Sequence, residues 1–372
     1  MGHIMRGAVT VISGQAKAGK SMLMLTQAMS LATGLPWGQF VPPDSVPLKV
    51  LMINAEDDQD EQFRRAAAAQ RQFDVKPDAY CERLRGIQVD GPITLMEYDE
   101  VTKRIIRLPL WDALMAELDA FKPDVLMLDP LVELHDADEN KNGPMKAVMS
   151  ELRGLARERH IGIVVAHHIR KGAVTPGDLD AARGAGAIVG AARVLMTFGG
   201  MSEDDAKALG IRGDERLRYA RLDMAGSNYA PRAGARWFEV EVHELENGER
   251  IAALKPWSPP GVFDDLDMAT CVSCIEEIDG GIKGPDGTVE FYTDRKDGDK
   301  RWAGHVVMRQ TGKPAEGAAN VVKQWIASGV LERGVYHSPS SRKERQCVRA
   351  LPSMLDDMRR QAHVIGAPFD TD

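Results

Sequence analysis

Residues 8–33 place an apolar run, AVTVIS, ahead of Gly14-Gln15-Ala16-Lys17-Ala18-Gly19-Lys20-Ser21, and follow it with the helical run SMLMLTQAMSLA. The eight central residues satisfy G-x-x-x-x-G-K-[ST] without exception, and the order strand, glycine loop, helix leaves few folds open. Glycines let backbone N–H groups turn toward phosphate oxygens, and the helix N-terminus that follows favours negative charge. Lys20 is placed to neutralise β- and γ-phosphate charge, and Ser21 to ligate Mg²⁺. A chance glycine-rich turn is the competing reading, and the flanking strand and helix weigh against it. The nucleotide set is therefore Gly14, Gln15, Ala16, Lys17, Ala18, Gly19, Lys20, Ser21 and the adjoining Met22, with ATP and Mg²⁺ as expected cofactors.

The chain around this motif has the alternation such a loop needs. AVTVIS, KVLMINA, DVLMLDP, GIVVAHH and ARVLMTF read as buried strands, with longer amphipathic stretches such as GPMKAVMSELRGLARERH between them. Buried strands separated by crossover helices predict an α/β fold with a largely parallel sheet flanked by helices. LRYARLDMAGSNYAPRAGARWFEVEVHEL shifts toward period-2 alternation and predicts antiparallel strands at the sheet edge. LKPWSPPG, with its prolines and glycine, reads as a linker. The expected division is a first domain over 1–253, a linker over 254–262 and a smaller domain over 263–372.

In that smaller domain AEGAANVVKQWIASG sets Ala315, Ala318, Ala319, Val322, Trp325 and Ile326 on one helical face and stops at Gly329. VLERGVYHSP and RKERQCVRAL can then pair across SPSS, and a helix followed by such a hairpin suggests a winged helix-turn-helix. Residues 295–349 hold 12 Lys/Arg against 5 Asp/Glu, inside a chain of net charge -8. A solvated face and a surface for the DNA backbone are the two readings of that excess. The overall acidity argues against indiscriminate coating of nucleic acid but leaves room for a local basic groove. No apolar run approaches the roughly 20 residues of a spanning helix, and the first residues lack a signal-peptide pattern, so a cytoplasmic protein without a membrane is expected. Four scattered cysteines fit a reducing compartment.

Four further sites carry candidate chemistry. Asp129 ends DVLMLDP, and an acid at the end of an apolar strand is costly unless it meets a cation or hydrogen-bond donors, which suits a Mg²⁺-holding role beside Ser21. A helix N-cap before Pro130 is the alternative. KVLMINAEDD ends in Glu56, Asp57 and Asp58; Glu56 stands first after the strand and is chosen to polarise the attacking water, while an N-cap role suits Asp57 or Asp58. GIVVAHHIRKG runs into His167 and His168, which point to opposite faces if the strand continues, so one of them is a candidate to sense γ-phosphate, with a purely structural histidine as the competing reading. Arg183 and Arg193 flank GAGAIVGAA, and either is a candidate finger onto a phosphate, in cis or from a neighbouring subunit. Residues 169–184 read as a polar loop beside a nucleic-acid path. Cys271 and Cys274, at helical spacing and without a second pair, read as packing rather than as a zinc site.

The ordered set GQAKAGKSML, INAEDD, VLMLDPL, ENKNGPMKAVMSELRGLA, VVAHHIRKG, AARGAGAIVGAARV and SNYAPRAGARWF resembles the RecA-like ATPases of the RepA type, hexameric replicative helicases, across roughly residues 6–260. The resemblance implies Lys20 and Ser21 for phosphate and Mg²⁺, Asp129 as the Walker B acid, Glu56 as catalytic glutamate, His168 as phosphate sensor and Arg183 as an arginine finger across a subunit interface. It also implies a hexameric ring around single-stranded DNA. The module beyond residue 261 lies outside the minimal helicase. Two other readings stay open: a nucleotide-switched DNA-binding regulator or loader with slow ATPase, and a kinase built on the same phosphate loop.

Overall fold

A computed structural model describes residues 3–87, 91–169, 186–227, 235–259, 261, 263–264, 266–296 and 300–365. The chain forms two compact units, one of residues 1–201 and 214–258, the other of residues 202–213 and 259–372. In chain order the first half runs β1 (Ala8–Gly14), α1 (Lys20–Thr33), β2 (Val50–Asn54), α2 (Gln59–Phe73), β3 (Leu84–Ile87), β4 (Met96–Asp99), β5 (Arg104–Arg107), α3 (Pro109–Phe121), β6 (Val125–Asp129), α4 (Asn142–Arg159), β7 (Gly162–His168), α5 (Gly186–Ala191) and β8 (Val194–Gly200). After α6 (Glu203–Leu209), which belongs to the second unit, β9 (Tyr219–Ser227), β10 (Arg236–Glu244) and β11 (Arg250–Trp257) complete the first.

Among the described residues nine strands make one sheet in the order β11-β10-β9-β8-β1-β7-β6-β2-β3. The six from β8 to β3 are parallel, and β9, β10 and β11 add antiparallel pairs at one edge. The five apolar runs of the sequence are β1, β2, β6, β7 and β8, so the sheet is α/β and largely parallel as its pattern requires. Period-2 geometry divides each strand between two cores. Val9, Val11, Leu126, Leu128, Ile163 and Val165 face Trp111 of α3 and Met145, Val148 and Leu152 of α4. Ile12, Val125, Met127, Val164 and Ala166 face Leu23, Met24 and Ala28 of α1. Each of these fully buried aliphatic side chains contributes roughly 1.5–3 kcal/mol by leaving water. Side chains buried on both faces are why these strands read as unbroken apolar runs.

Register brings the functional strand ends together. Gly14 pairs with His168, and Asn54 with Asp129, so the carboxyl ends of β1, β7, β2 and β6 open at one edge of the sheet, where ligands bind in such folds. Residues 254–257, read from sequence as the start of a linker, continue β11 instead. β11 is an edge strand, where the missing N–H of Pro256 costs no ladder bond.

The second unit packs α7 (Met268–Gly280), α8 (Gly304–Thr311), α9 (Ala315–Ala327) and α10 (Pro352–Ile365) with two hairpins, β12 (Ile282–Lys283) with β13 (Val289–Glu290) and β14 (Leu331–His337) with β15 (Glu344–Ala350). Ala318, Val321, Val322 and Trp325 of α9 are buried against Cys271, Cys274 and Ile275 of α7 and Val348 of β15. The helix closes as expected at Gly329, whose φ of +75° only glycine adopts cheaply, with Val330 N donating to Trp325 O at 2.8 Å. Burial pushes the Cys274 thiol up to about 11, so it behaves as a core side chain. Among the described residues no helix is long and apolar enough to cross a membrane.

Candidate nucleotide site

The loop between β1 and α1 is shaped by two glycines. A Cβ on Gly14 falls 2.3 Å from the Phe198 carbonyl oxygen of the neighbouring β8, so no side chain fits where the strand turns into the loop. Gly19 takes φ +90° as the N-cap of α1, and it supplies no side-chain cap. The first-turn N–H groups of α1 therefore face outward with no capping side chain, which is the arrangement that binds anions at helix N-termini. Lys20, 4% exposed, curls back over the loop. Its ammonium donates to Gly14 O at 3.1 Å and Gln15 O at 2.9 Å, and lies 3.2 Å from His168 Nδ1.

That last contact fixes a tautomer. An ammonium only donates, so Nδ1 accepts and Nε2 carries the ring proton. Nε2 then donates to Glu56 Oε1 at 3.0 Å. Burial, and then the Lys20 charge, hold the His168 pKa below its ordinary value and keep the ring neutral. Burial likewise lowers the Lys20 pKa, opposed by the charges of Asp129 and Glu56. Lys20, His168 and Glu56 thus form one hydrogen-bonded chain from the loop to the end of β2. His167, one residue earlier, points the other way, its Nδ1 3.5 Å from Glu139 Oε1.

Asp129 is 1% exposed, with Ser21 hydrogen-bonded to its carboxyl and Oδ2 without a partner among the described residues. Burial raises its pKa from 3.8 to about 6 against the pull of Ser21. A buried carboxylate oxygen left unpaired is costly, and a hard cation shared with a serine hydroxyl removes that cost. This donor set fits Mg²⁺.

The three acids after β2 divide their work. Asn54 Oδ1 accepts from the N–H groups of Glu56 and Asp57 at 2.9 and 3.0 Å, which turns the chain sharply at the strand end. Asp58 caps α2 by accepting from Glu61 N at 2.7 Å. Asp57 takes Arg65 at 2.7 Å and Asn54 Nδ2 at 2.8 Å. Glu56, the remaining acid, is the one that reaches His168.

These groups surround a cavity of about 440 Å³, lined by Lys17, Gly19, Lys20, Ser21, Met22, Glu56, Asp57, Asp129 and His168. Arg65 of α2 and Arg250, Ile251 and Ala252 of β11 close its far wall. Sequence reasoning did not find this wall. The β10–β11 hairpin leans onto α2, with Glu249 paired to Arg64 at 3.1 Å, and no local pattern announces so distant a contact. Of the candidate fingers, Arg183 lies outside the described residues, as do residues 170–184 of the predicted nucleic-acid loop. Arg193 donates its amide to Val9 O, near the start of β1, which puts it at the opposite end of the sheet from its own phosphate loop.

The basic excess of residues 295–349 is partly neutralised within the second unit. Arg309 pairs with Glu277, Arg333 with Asp294 and Arg349 with Asp279, all acids that lie before that window. Arg342 and Lys343, at the turn of the β14–β15 hairpin, are exposed.

Comparison with known proteins agrees with this geometry. Residues 1–174 match the family model described as an AAA domain. Over 174 residues the chain is 25% identical to the DNA repair protein RadA of Synechocystis sp.; the stretch is 46% of this chain and spans only 30% of that protein. Together with the sheet and its glycine-rich loop, these matches are consistent with a RecA-like P-loop core in the first unit.

Proposed function

We propose that this P-loop ATPase hydrolyses ATP with Mg²⁺ and couples hydrolysis to movement on, or remodelling of, single-stranded DNA, in the manner of RepA-type ring helicases. The observation that carries the reading is the convergence of Lys20, His168, Glu56 and the orphaned Asp129 oxygen on one cavity beside a bare helix N-terminus. ATP lays its phosphates along residues 14–21, where Lys20 exchanges the carbonyls of Gly14 and Gln15 for phosphate oxygens. Ser21 and Asp129 would hold Mg²⁺, which when bound would neutralise charge on the phosphates. As Lys20 turns to the phosphates, His168 Nδ1 loses its donor, and moving the ring proton from Nε2 to Nδ1 lets the imidazole donate to the γ-phosphate while it lets go of Glu56. Glu56, released from His168, orients the attacking water. Arg183 of an adjacent protomer supplies positive charge to the transition state.

The similarity to a DNA repair protein supports a DNA substrate, and the resemblance to RepA-type ATPases is what supports a hexameric ring. The α9 helix and the β14–β15 hairpin, with Arg342 and Lys343 at its turn, support a winged-helix reading of the second unit as a contact for the DNA backbone. The same hairpin favours the second reading, a nucleotide-switched DNA-binding regulator or loader. Turnover of purified protein with and without single-stranded DNA separates them: a motor is stimulated tenfold or more, and a switch responds little and prefers duplex. Glu56→Gln tests the chemistry. Binding of ATP persists while turnover falls by roughly 10²–10⁴; normal turnover removes Glu56 from its role.

A further inference from the structure

A second cavity, of about 500 Å³, lies beside the C-terminal half of α1 and is lined by residues distinct from those of the nucleotide site. Ile4, Leu31, Phe40 and Pro42 give it apolar walls, and His3, Gln27, Ser30, Gln39 and Arg236 are polar residues of its lining. Gln27 is 2% exposed, and both ends of its amide lack a hydrogen-bond partner among the described residues. His3 Nε2 and Arg236 Nε are unpartnered in the same sense. The Arg236 guanidinium lies over the Phe40 ring at 4.7 Å, and the His3 ring meets that ring edge-on at 4.3 Å.

Burying polar groups without partners is costly, and native proteins leave few of them. Three such groups around one cavity mark a site built for something that pairs with them. The charges state its sign. Burial, and then the neighbouring Arg236 charge, push the His3 pKa down to about 3, so the imidazole is neutral and offers one N–H. Arg236 remains a cation, its pKa lowered by burial, and no acidic group faces it among the described residues lining the cavity. A guanidinium held over an aromatic ring keeps N–H groups for a planar anion, and arginine takes a carboxylate with two parallel hydrogen bonds. The Gln27 amide adds a further donor, and the apolar walls suit a hydrocarbon body. A volume of this size falls in the range of small-molecule sites.

We infer that this cavity is a binding site for a small organic carboxylate with an apolar body, its acid group on Arg236 and Gln27 and its body against Phe40, Leu31 and Pro42. The site is separate from the one that takes the nucleotide, and it depends on no part of the ATPase reading.

The test uses the full chain and benzoate as probe, followed by ligand-observed NMR. Benzoate binds saturably at roughly millimolar concentration. Benzamide, the same body without the charge, binds at least tenfold more weakly, and saturating ATP displaces neither. Arg236→Met lowers benzoate affinity tenfold or more, while Lys20→Met leaves it unchanged. Absence of saturation, equal binding of benzamide, or displacement by ATP overturns the inference. If Arg236→Met fails to fold, the comparison of benzoate with benzamide on the unaltered chain decides alone.

Discussion

Asp129→Asn separates what the nucleotide site costs from what it does. The carboxyl is 1% exposed and burial raises its pKa from 3.8 to about 6. At about 1.4 kcal/mol per pH unit, that rise corresponds to roughly 3 kcal/mol of stability withheld by the ionised group. The sign follows from linkage: a carboxyl whose folded pKa is raised is neutral in both states below pH 3.8, and its cost grows as pH climbs through 6. Asparagine cannot ionise, keeps the shape, and leaves an oxygen for the Ser21 hydroxyl. Metal- and nucleotide-free Asp129→Asn protein is therefore more stable than the parent at pH 7.5, by up to about 3 kcal/mol, and no more stable at pH 3.5. In thermal melts this is a rise of roughly 2–4 °C for each kcal/mol in a unit of this size. Magnesium-dependent ATP turnover is lost in the same variant. An Asn variant that melts below the parent at pH 7.5, or a gain that does not shrink on acidification, refutes the reasoning.

Other substitutions probe the loop and the second core. Lys20→Met removes charge-assisted hydrogen bonds worth about 1.5–3 kcal/mol, so affinity for a fluorescent ATP analogue falls by roughly 10–100-fold; unchanged affinity sinks the assignment. Gly14→Ala sets a Cβ 2.3 Å from the Phe198 carbonyl oxygen, so β1 and β8 must part at the mouth of the loop. The expected loss is about 1–3 kcal/mol in denaturant titration, together with slower turnover. Trp325→Ala empties the centre of the second unit's core and costs about 3–5 kcal/mol, read from its unfolding transition. A change within error in either experiment contradicts the packing described.

The parallel core was legible because its strands are buried on both faces, and unbroken apolar runs such as VLML announce that state. The phosphate loop was legible because its spacing is a geometric demand, met here by the close approach of Gly14 to β8. The acids after β2 could be sorted only in part: the sequence leaves the cap to either Asp57 or Asp58, and Asp58 as the cap with Asp57 as the partner of Arg65 emerges only once α2 is in place. β11 was misread as linker at Pro256, because a proline is harmless on an edge and breaks a strand elsewhere, and edge position is a property of the whole sheet. Arg250 and Ile251 escaped notice for a related reason, since a hairpin that folds onto a helix nearly two hundred residues earlier leaves no local trace. β3, β4 and β5 are four residues each and partly exposed, too short to display a period.

The hold that Gly14 and Gln15 keep on the Lys20 ammonium has a consequence for the whole cycle. On the proposed function, ATP competes with the loop carbonyls for a single cation, so part of its attraction goes into releasing Lys20 and initial capture is weaker than the charges alone suggest. After cleavage the balance reverses. On the same reading those carbonyls draw the lysine home as the cleaved phosphate departs, and the contact that weakens capture assists release.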